Sequence, residues 1–456
     1  MTFGKAWHQK PAPAGRGQLA AGEAQGQRRR DEAEPARRAP QDTGRADLFT
    51  QVLARENMAA AWKRVKANKG SAGVDGRTIA ETAAYLKTDW PRIRMELQSG
   101  CYRPSSVRRI TIPKSGGGLR ELGIPTVIDR VIQQALLQVL QPMIDPSFSE
   151  SSFGFRPGRR AHDAVCQAQR TVADGYRVVV DVDLAQFFDR VNHDILMDRL
   201  AQRIADKAVL RLIRRYLQAG IMDQGMAIRR YQGTPQGGPL SPLLANVLLD
   251  EVDRALERRG HRFVRYADDL QVYVRSHKAG QRVLVGLRKQ FARLHLQINE
   301  AKTAVTSVFG RKFLGFHFWV APGGVVKRGV AGKAKAIFKQ RIRWLTRRNR
   351  GRSLAQVIEQ LRAYLLGWKA YFRLAQTPGV FRALDEWLRH RLRAVQLKHW
   401  KRGKTMYREL LKLGASEPSA RRVAANSRRW WRNSRYELNR CMPIAYFDRL
   451  GLPRLS

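Results

Sequence analysis

Arg265-Tyr266-Ala267-Asp268-Asp269-Leu270-Gln271-Val272-Tyr273-Val274 sets two adjacent carboxylates among β-forming residues. The pattern predicts a tight hairpin with both acids at its tip. A β-turn also holds acidic residues for no purpose beyond the turn. Two neighbouring carboxylates repel each other, however, and a bound divalent cation is the common relief. A third acid stands well upstream in a similar setting. Val178-Val179-Val180-Asp181-Val182-Asp183-Leu184 is a β-run that carries Asp183 and leads into Phe187-Phe188. Three carboxylates on two strand ends suit a pair of Mg²⁺ ions and phosphoryl transfer.

The 456 residues include 85 basic and 38 acidic side chains, a net charge of +47. The length allows roughly two to four domains with real cores. The charge calls for a polyanionic partner and strong salt dependence, because such an excess repels itself without a counter-charge. No run of eighteen apolar residues appears, and the N-terminus lacks the apolar core of a signal peptide. Cys101, Cys166 and Cys441 are far apart and form no Cys-x-x-Cys pair, which excludes a zinc ribbon or finger. Free thiols in a reducing cytoplasm are the plain reading.

Residues 1–46 are rich in Ala, Gly, Pro, Gln and Arg, lack apolar periodicity, and read as a disordered basic tail. Helical spacing runs from Leu48 to about Leu97. Gly70 to Gly76 is a glycine-rich loop that matches neither Walker nor Rossmann spacing, so it is assigned no phosphate role. Residues 107–125 read as a hairpin with a glycine tip, 125–145 and 193–220 as helices, and 286–319 as a helix followed by strands. Residues 321–456 hold 33 basic and 7 acidic side chains and six of the ten tryptophans. A basic, aromatic-studded helical region suits RNA phosphates and unpaired bases. Trp368 and Trp387, flanked by apolar residues, read instead as core anchors. The arginines of 341–352 and 389–402 are the better phosphate candidates.

Between the two acidic strands lies Gly233-Thr234-Pro235-Gln236-Gly237-Gly238-Pro239-Leu240-Ser241-Pro242, a glycine-rich turn leading into a helix. An Asp strand, this loop and helix, then Tyr-Ala-Asp-Asp: the order resembles the palm of a reverse transcriptase. More narrowly, the chain resembles the reverse transcriptase/maturases encoded in bacterial group II introns. The resemblance runs from about Leu48 to the C-terminus. It includes Ile112-Pro113-Lys114, Leu122-Gly123-Ile124-Pro125, Ser152-Phe153-Gly154-Phe155-Arg156-Pro157-Gly158, Leu296 to Thr303, and Phe313-Leu314-Gly315-Phe316. Ile342 to Gly351, Gly367 to Phe372 and Leu384 to Leu392 are similar to that family's maturase region. The His-Asn-His endonuclease motifs that end many members do not appear after Gly414. The expectation is a protein that takes its primer elsewhere, for example from a nascent strand at a replication fork.

The resemblance implies an α+β fold: a right-hand polymerase with an antiparallel palm sheet, followed by a helical thumb. Fingers with an N-terminal extension are expected over 47–170, the palm over 171–320, the thumb or maturase domain over 321–415, and a short basic extension, with a possible DNA contact, over 416–456. Asp183 and Asp268 are implied as the principal Mg²⁺ ligands, with Asp269 completing the cluster. Lys114 and Arg120 are implied at the triphosphate and Gln236 near the nucleotide or template. Phe188 is implied under the incoming sugar, excluding a 2′-hydroxyl; read alone, it is first a core residue. Lys302 is implied as a proton donor to pyrophosphate, and a structural lysine fits as well. Arg343, Arg347, Arg348, Arg350, Arg391, Lys401 and Arg402 are the candidate RNA contacts. Asp181 reads as a solvated or salt-bridged acid.

The expected function is RNA-directed DNA synthesis from dNTPs with two Mg²⁺ ions, for retrohoming of a mobile intron, joined to intron-RNA binding that promotes splicing. The expected partners are group II intron RNA, an RNA template with DNA primer, and target DNA, in a bacterial, nucleoid-associated setting. Three other classes share parts of the pattern: a domesticated or CRISPR-linked reverse transcriptase, a splicing factor with an inactive palm, and an RNA-dependent RNA polymerase.

Overall fold

The computed structural model describes residues 48–456 apart from 114–118, 224–225, 229–231, 235–236 and 350. The tail expected over 1–46 lies outside these residues. The helical spacing after Leu48 resolves into helices Leu48–Leu53, Arg55–Ala67 and Ile79–Gln98. The third starts at a capping box: Thr78 accepts from the Glu81 N–H, and Glu81 accepts from the Thr78 N–H. The loop before it is held by packing chemistry, since Arg130 donates to the Ser71 carbonyl at 2.5 Å.

Strands Val107–Pro113 and Leu119–Ile124 form the expected antiparallel hairpin. Val107–Pro113 also runs parallel to Ile221–Asp223, which turns back into Met226–Ile228. The helix Val127–Ile144 follows the hairpin, buried along most of its length and packed against the three N-terminal helices.

The central sheet is antiparallel, in the order Arg262–Tyr266, Asp269–Val274, Val178–Val182, Ala304–Ser307. Side-chain alternation sends its two faces into different cores. Val180, Val182, Leu270, Val272 and Val274 join a first core with the N-terminal helices, Val127–Ile144 and the helix Ser241–Arg258. Val179, Val264 and Tyr273 join a second core with Phe316, Phe318 and the C-terminal helices. Burial on both faces explains why these strands read as near-continuous apolar runs.

A smaller sheet, Lys312–Phe313, Phe316–Val320 and Val326–Val330, follows. Its last strand falls in the stretch read as the start of the helical region. Helices Gly332–Leu345, Leu354–Phe372, Pro378–Trp400 and Gly403–Lys412 then carry the second core onward. Ser353 and Gln356 cap the second of these reciprocally. Trp368 is a core anchor, packed among Phe338, Phe372 and Phe381. The segment read as a basic extension is also part of this core: Leu438, Met442, Phe447, Leu452 and Leu455 are all buried in it. No described helix is long and apolar enough to cross a membrane.

Candidate active site

Asp183 follows directly on the strand Val178–Val182, and Asp269 opens the strand Asp269–Val274. The register pairs Val182 with Leu270, so the next rung sets Asp183 opposite Asp269. Ala267 and Asp268 form the two-residue turn of the hairpin, because Tyr266 pairs with Asp269. Asp268 is therefore at the tip and Asp269 one step inside it. Ala267 has a φ of 58°, a left-handed conformation that costs a residue with a Cβ about 1–2 kcal/mol. The small methyl group keeps that cost near its minimum.

The three acids predicted from sequence thus come together, and Asp181 joins them on the same face. Solvent reaches the Asp269 carboxyl, yet protein surrounds it on most sides. Burial first, then the charges of Asp268, Asp181 and Asp183, push it up to about 7, against a smaller opposing pull from Lys312. Asp181 accepts from Gln271 Nε2 at 3.0 Å and faces Arg311 at 3.6 Å, the salt-bridged state allowed for it. Burial raises its carboxyl too.

Asp183 is wrapped by the segment around Leu296 to Thr303. Its carbonyl accepts from the Asn299 N–H at 2.8 Å, and its N–H donates to Thr303 Oγ1 at 3.1 Å. Lys302 Nζ stands 3.2 Å from Asp183 Oδ2, with 66% of the lysine side chain exposed. An ion pair this open is worth about 0–1 kcal/mol, so a competing cation displaces it readily. Carboxylate oxygens are the right donors for a hard divalent cation. The arrangement is open: among the described residues no three His, Cys, Asp or Glu side chains converge into a ready metal cage.

The remaining nucleotide candidates divide. Phe188 is buried in the first core, in a short 3₁₀ turn Phe187–Asp189. Its carbonyl accepts from the Thr234 N–H at 2.7 Å, which ties the turn to the glycine-rich loop. Lys114, Gln236 and Arg350 lie outside the described residues, as does the side chain of Arg120, whose backbone pairs with Ile112.

Three of the arginine candidates gather in the helical region. Arg343 and Arg391 lie over Trp387 at 5.7 and 5.4 Å, with Lys339 at 5.6 Å. Arg348 and Lys398 flank Trp430 at 5.2 and 4.3 Å. Arg391 donates to Thr346 Oγ1 at 2.9 Å. Burial, then Arg348 and Arg343, lower its pKa to about 10. Trp387 packs against the second core by one side and carries cations on the other, so the core-anchor reading holds for only part of it. Arg347 is exposed beyond the helix Gly332–Leu345, and Lys401 and Arg402 form the exposed turn after Trp400.

Residues 112–318 match the family model described as reverse transcriptase (RNA-dependent DNA polymerase), and residues 335–414 match that of the group II intron maturase-specific domain. The chain thus carries a reverse transcriptase domain followed by a group II intron maturase-specific domain. Protein YkfC of Escherichia coli (strain K12) is 38% identical over 218 residues, 46% of this chain and 57% of that protein. Group II intron-encoded protein LtrA of Lactococcus lactis subsp. cremoris is 28% identical over 355 residues, 63% of this chain and 59% of its own. This reverse transcriptase/maturase chain therefore spans less than two thirds of either relative. Among solved structures, a chain of a partial Cas6-RT-Cas1–Cas2 complex overlaps 54% of this chain and 42% of its own at 25% identity, with a TM-score of 0.36.

Sequence reasoning passed over Arg265, Asn246 and Asp253, which are all buried behind the acidic hairpin. Arg265 directly precedes Tyr-Ala-Asp-Asp, and a charged residue amid a buried strand was the available signal. It also passed over Lys312, close enough to Asp269 and Asp181 to draw both pKa values down.

Proposed function

We propose that this protein is an RNA-directed DNA polymerase that copies intron RNA into DNA and also binds that RNA as a maturase. The carrying observation is the strand register, which sets Asp183 opposite Asp269 at the hairpin tip, close enough to Asp181 and Asp268 that burial first, and then these charges, push Asp269 up to about 7. Self-repelling acids at the open ends of two buried strands cost stability unless a cation joins them. Asp183, Asp268 and Asp269 would hold two Mg²⁺ ions. When bound, these supply the Lewis acidity that eases deprotonation of the primer 3′-hydroxyl and neutralises the leaving pyrophosphate.

The chain's own groups do the positioning. Lys302, which pairs with Asp183, would give a proton or a charge to pyrophosphate. Phe188, at the wall beside the Gly233 loop, excludes a 2′-hydroxyl and so selects dNTPs. Lys114 and Arg120 take the triphosphate, and Gln236 the nucleotide or template. Fingers over 47–170, palm over 171–320 and thumb over 321–415 form the hand, with 416–456 packed against the thumb.

RNA binding belongs to the helical region. Arg391 is held beside Arg343 and Arg348, and burial first, then these two charges, lowers its pKa; a phosphate would relieve the crowding. Arg347, Arg350, Lys401 and Arg402 extend it. The partners are group II intron RNA, primed template and target DNA. Splicing is promoted by preferential binding to the active RNA fold, which shifts its population. The test is Asp268→Ala. Incorporation of dNTPs should vanish while affinity for the intron RNA stays within about twofold, below the 1.4 kcal/mol that makes tenfold. Loss of both would end the division of labour.

A further inference from the structure

The catalytic turn is backed by a buried polar frame. Arg265, 1% exposed, donates from Nε to both oxygens of Asp253 at 2.8 and 3.0 Å. Its Nη1 donates to Asn246 Oδ1 at 2.9 Å and to the Ala267 carbonyl at 3.0 Å. Asn246 Nδ2 in turn donates to the Gly154 carbonyl at 2.9 Å. Asp253 and Asn246 sit on the helix Ser241–Arg258, and both are buried. Gly154 belongs to the loop that pairs with the Arg265 backbone: the Arg265 N–H donates to Ser151 and the Phe153 N–H to the Arg265 carbonyl, each at 2.9 Å. A Cβ on Gly154 would collide with the Ala267 backbone nitrogen.

Stability alone is a poor account of this frame. A buried ion pair is often matched or bettered by apolar residues of the same volume, because both charges must be desolvated. What apolar residues lack is direction. One guanidinium here fixes a helix carboxylate, a helix amide and the carbonyl of the left-handed Ala267 at once. That carbonyl lies between Tyr266 and the two acids of the turn.

We propose that Arg265, Asn246 and Gly154 are positioning residues: they set the Ala267 turn so that Asp268 and Asp269 present their carboxylates to the metal site. None of them touches substrate. The inference rests on the polymerase reading for its consequence, but its first consequence is geometric and does not need turnover.

Asn246→Ala removes the strut and leaves the Arg265–Asp253 pair. Gly154→Ala pushes on the turn from the other side. Each variant is compared with wild type by Mn²⁺ binding followed by electron paramagnetic resonance, by thermal unfolding, and by primer extension with dNTP titration. For Asn246→Ala the expected result is a melting temperature within a few degrees of wild type, Mn²⁺ affinity weakened at least fivefold, and kcat reduced at least tenfold with KM for dNTP within about twofold; Gly154→Ala, whose Cβ meets backbone, should lose melting temperature as well as Mn²⁺ affinity. Unchanged Mn²⁺ affinity in both folded variants overturns the proposal. A variant that loses only melting temperature, with full kcat per folded molecule, overturns it too. If Asn246→Ala does not fold, Asn246→Asp, which keeps the acceptor for Arg265 and removes the donor to the Gly154 carbonyl, decides by the same criteria. A wild type that binds Mn²⁺ but extends no primer ends the polymerase reading, while the Mn²⁺ comparison still decides the frame.

Discussion

At the scale of single residues, Asp269 carries the most information. Its carboxyl is raised from the ordinary 3.8 to about 7 by burial and by three neighbouring acids. A group whose folded pKa lies above its unfolded value binds more protons when folded. Stability therefore falls as pH rises through the interval from about 4 to about 7. A divalent cation relieves that repulsion only once the carboxylate is formed. Mg²⁺ should raise the melting temperature clearly at pH 8 and little at pH 6, and Asp269→Asn should flatten the difference. An equal Mg²⁺ effect at both pH values would contradict this placement of Asp269. Nearby, Phe188→Val should open the sugar wall and admit ribonucleotides, read as a rise of at least tenfold in relative rNTP incorporation, a change of about 1.4 kcal/mol in selectivity.

The hairpin holding Asp268 was legible because β-formers flank it, and Asp183 because its strand is a valine run. Arg265 was not. Its partners lie on a helix twelve and nineteen residues earlier, and no spacing rule links a strand arginine to helix positions. Trp387 was half legible: apolar neighbours marked its buried side, whereas two of the three cations over its ring, Lys339 and Arg343, come from a different helix.

At the scale of elements, the helix Gly332–Leu345 with the turn after it and the helix Pro378–Trp400 bring Arg343, Arg348 and Arg391 together. Charges crowded this way are relieved by phosphate, with release of counterions. Charge reversal at Arg347 and Arg348 should weaken RNA binding and flatten its dependence on salt, by about 0.7–0.9 in the logarithmic slope for each phosphate no longer neutralised. An unchanged slope would place both residues off the RNA. The core beneath these helices is a separate matter. Leu361 is fully buried on Leu354–Phe372. Leu361→Ala should cost about 2–5 kcal/mol through lost burial and the cavity left behind. Denaturant unfolding measures it, and a loss under about 1 kcal/mol would mean that the site collapses or is loosely packed.

At the scale of the whole molecule, palm and thumb share one core. Val179, Val264 and Tyr273 of the central sheet pack in the same cluster as Phe338, Leu361, Phe447 and Leu455. The division expected near residue 320 follows a change in charge and periodicity, which is a surface property. Burial continues across it, and through the segment whose arginines made it read as an extension. A fragment ending at residue 318 would strip the C-terminal helices from one face of the palm sheet and leave mainly the helix Ala161–Ala173 on it, and it should be insoluble or lack a cooperative transition. The described chain should unfold with its palm and thumb together.

The central claim is that the acids gathered at these two strand ends polymerise DNA on RNA. Primer extension by the purified chain on an RNA template, with Mg²⁺ and dNTPs, tests it beside Asp183→Asn. The account predicts long cDNA from the wild type and none from the variant. Product of equal length from both would remove Asp183 from the chemistry, and no product from either would leave an RNA-binding protein whose polymerase fold is idle.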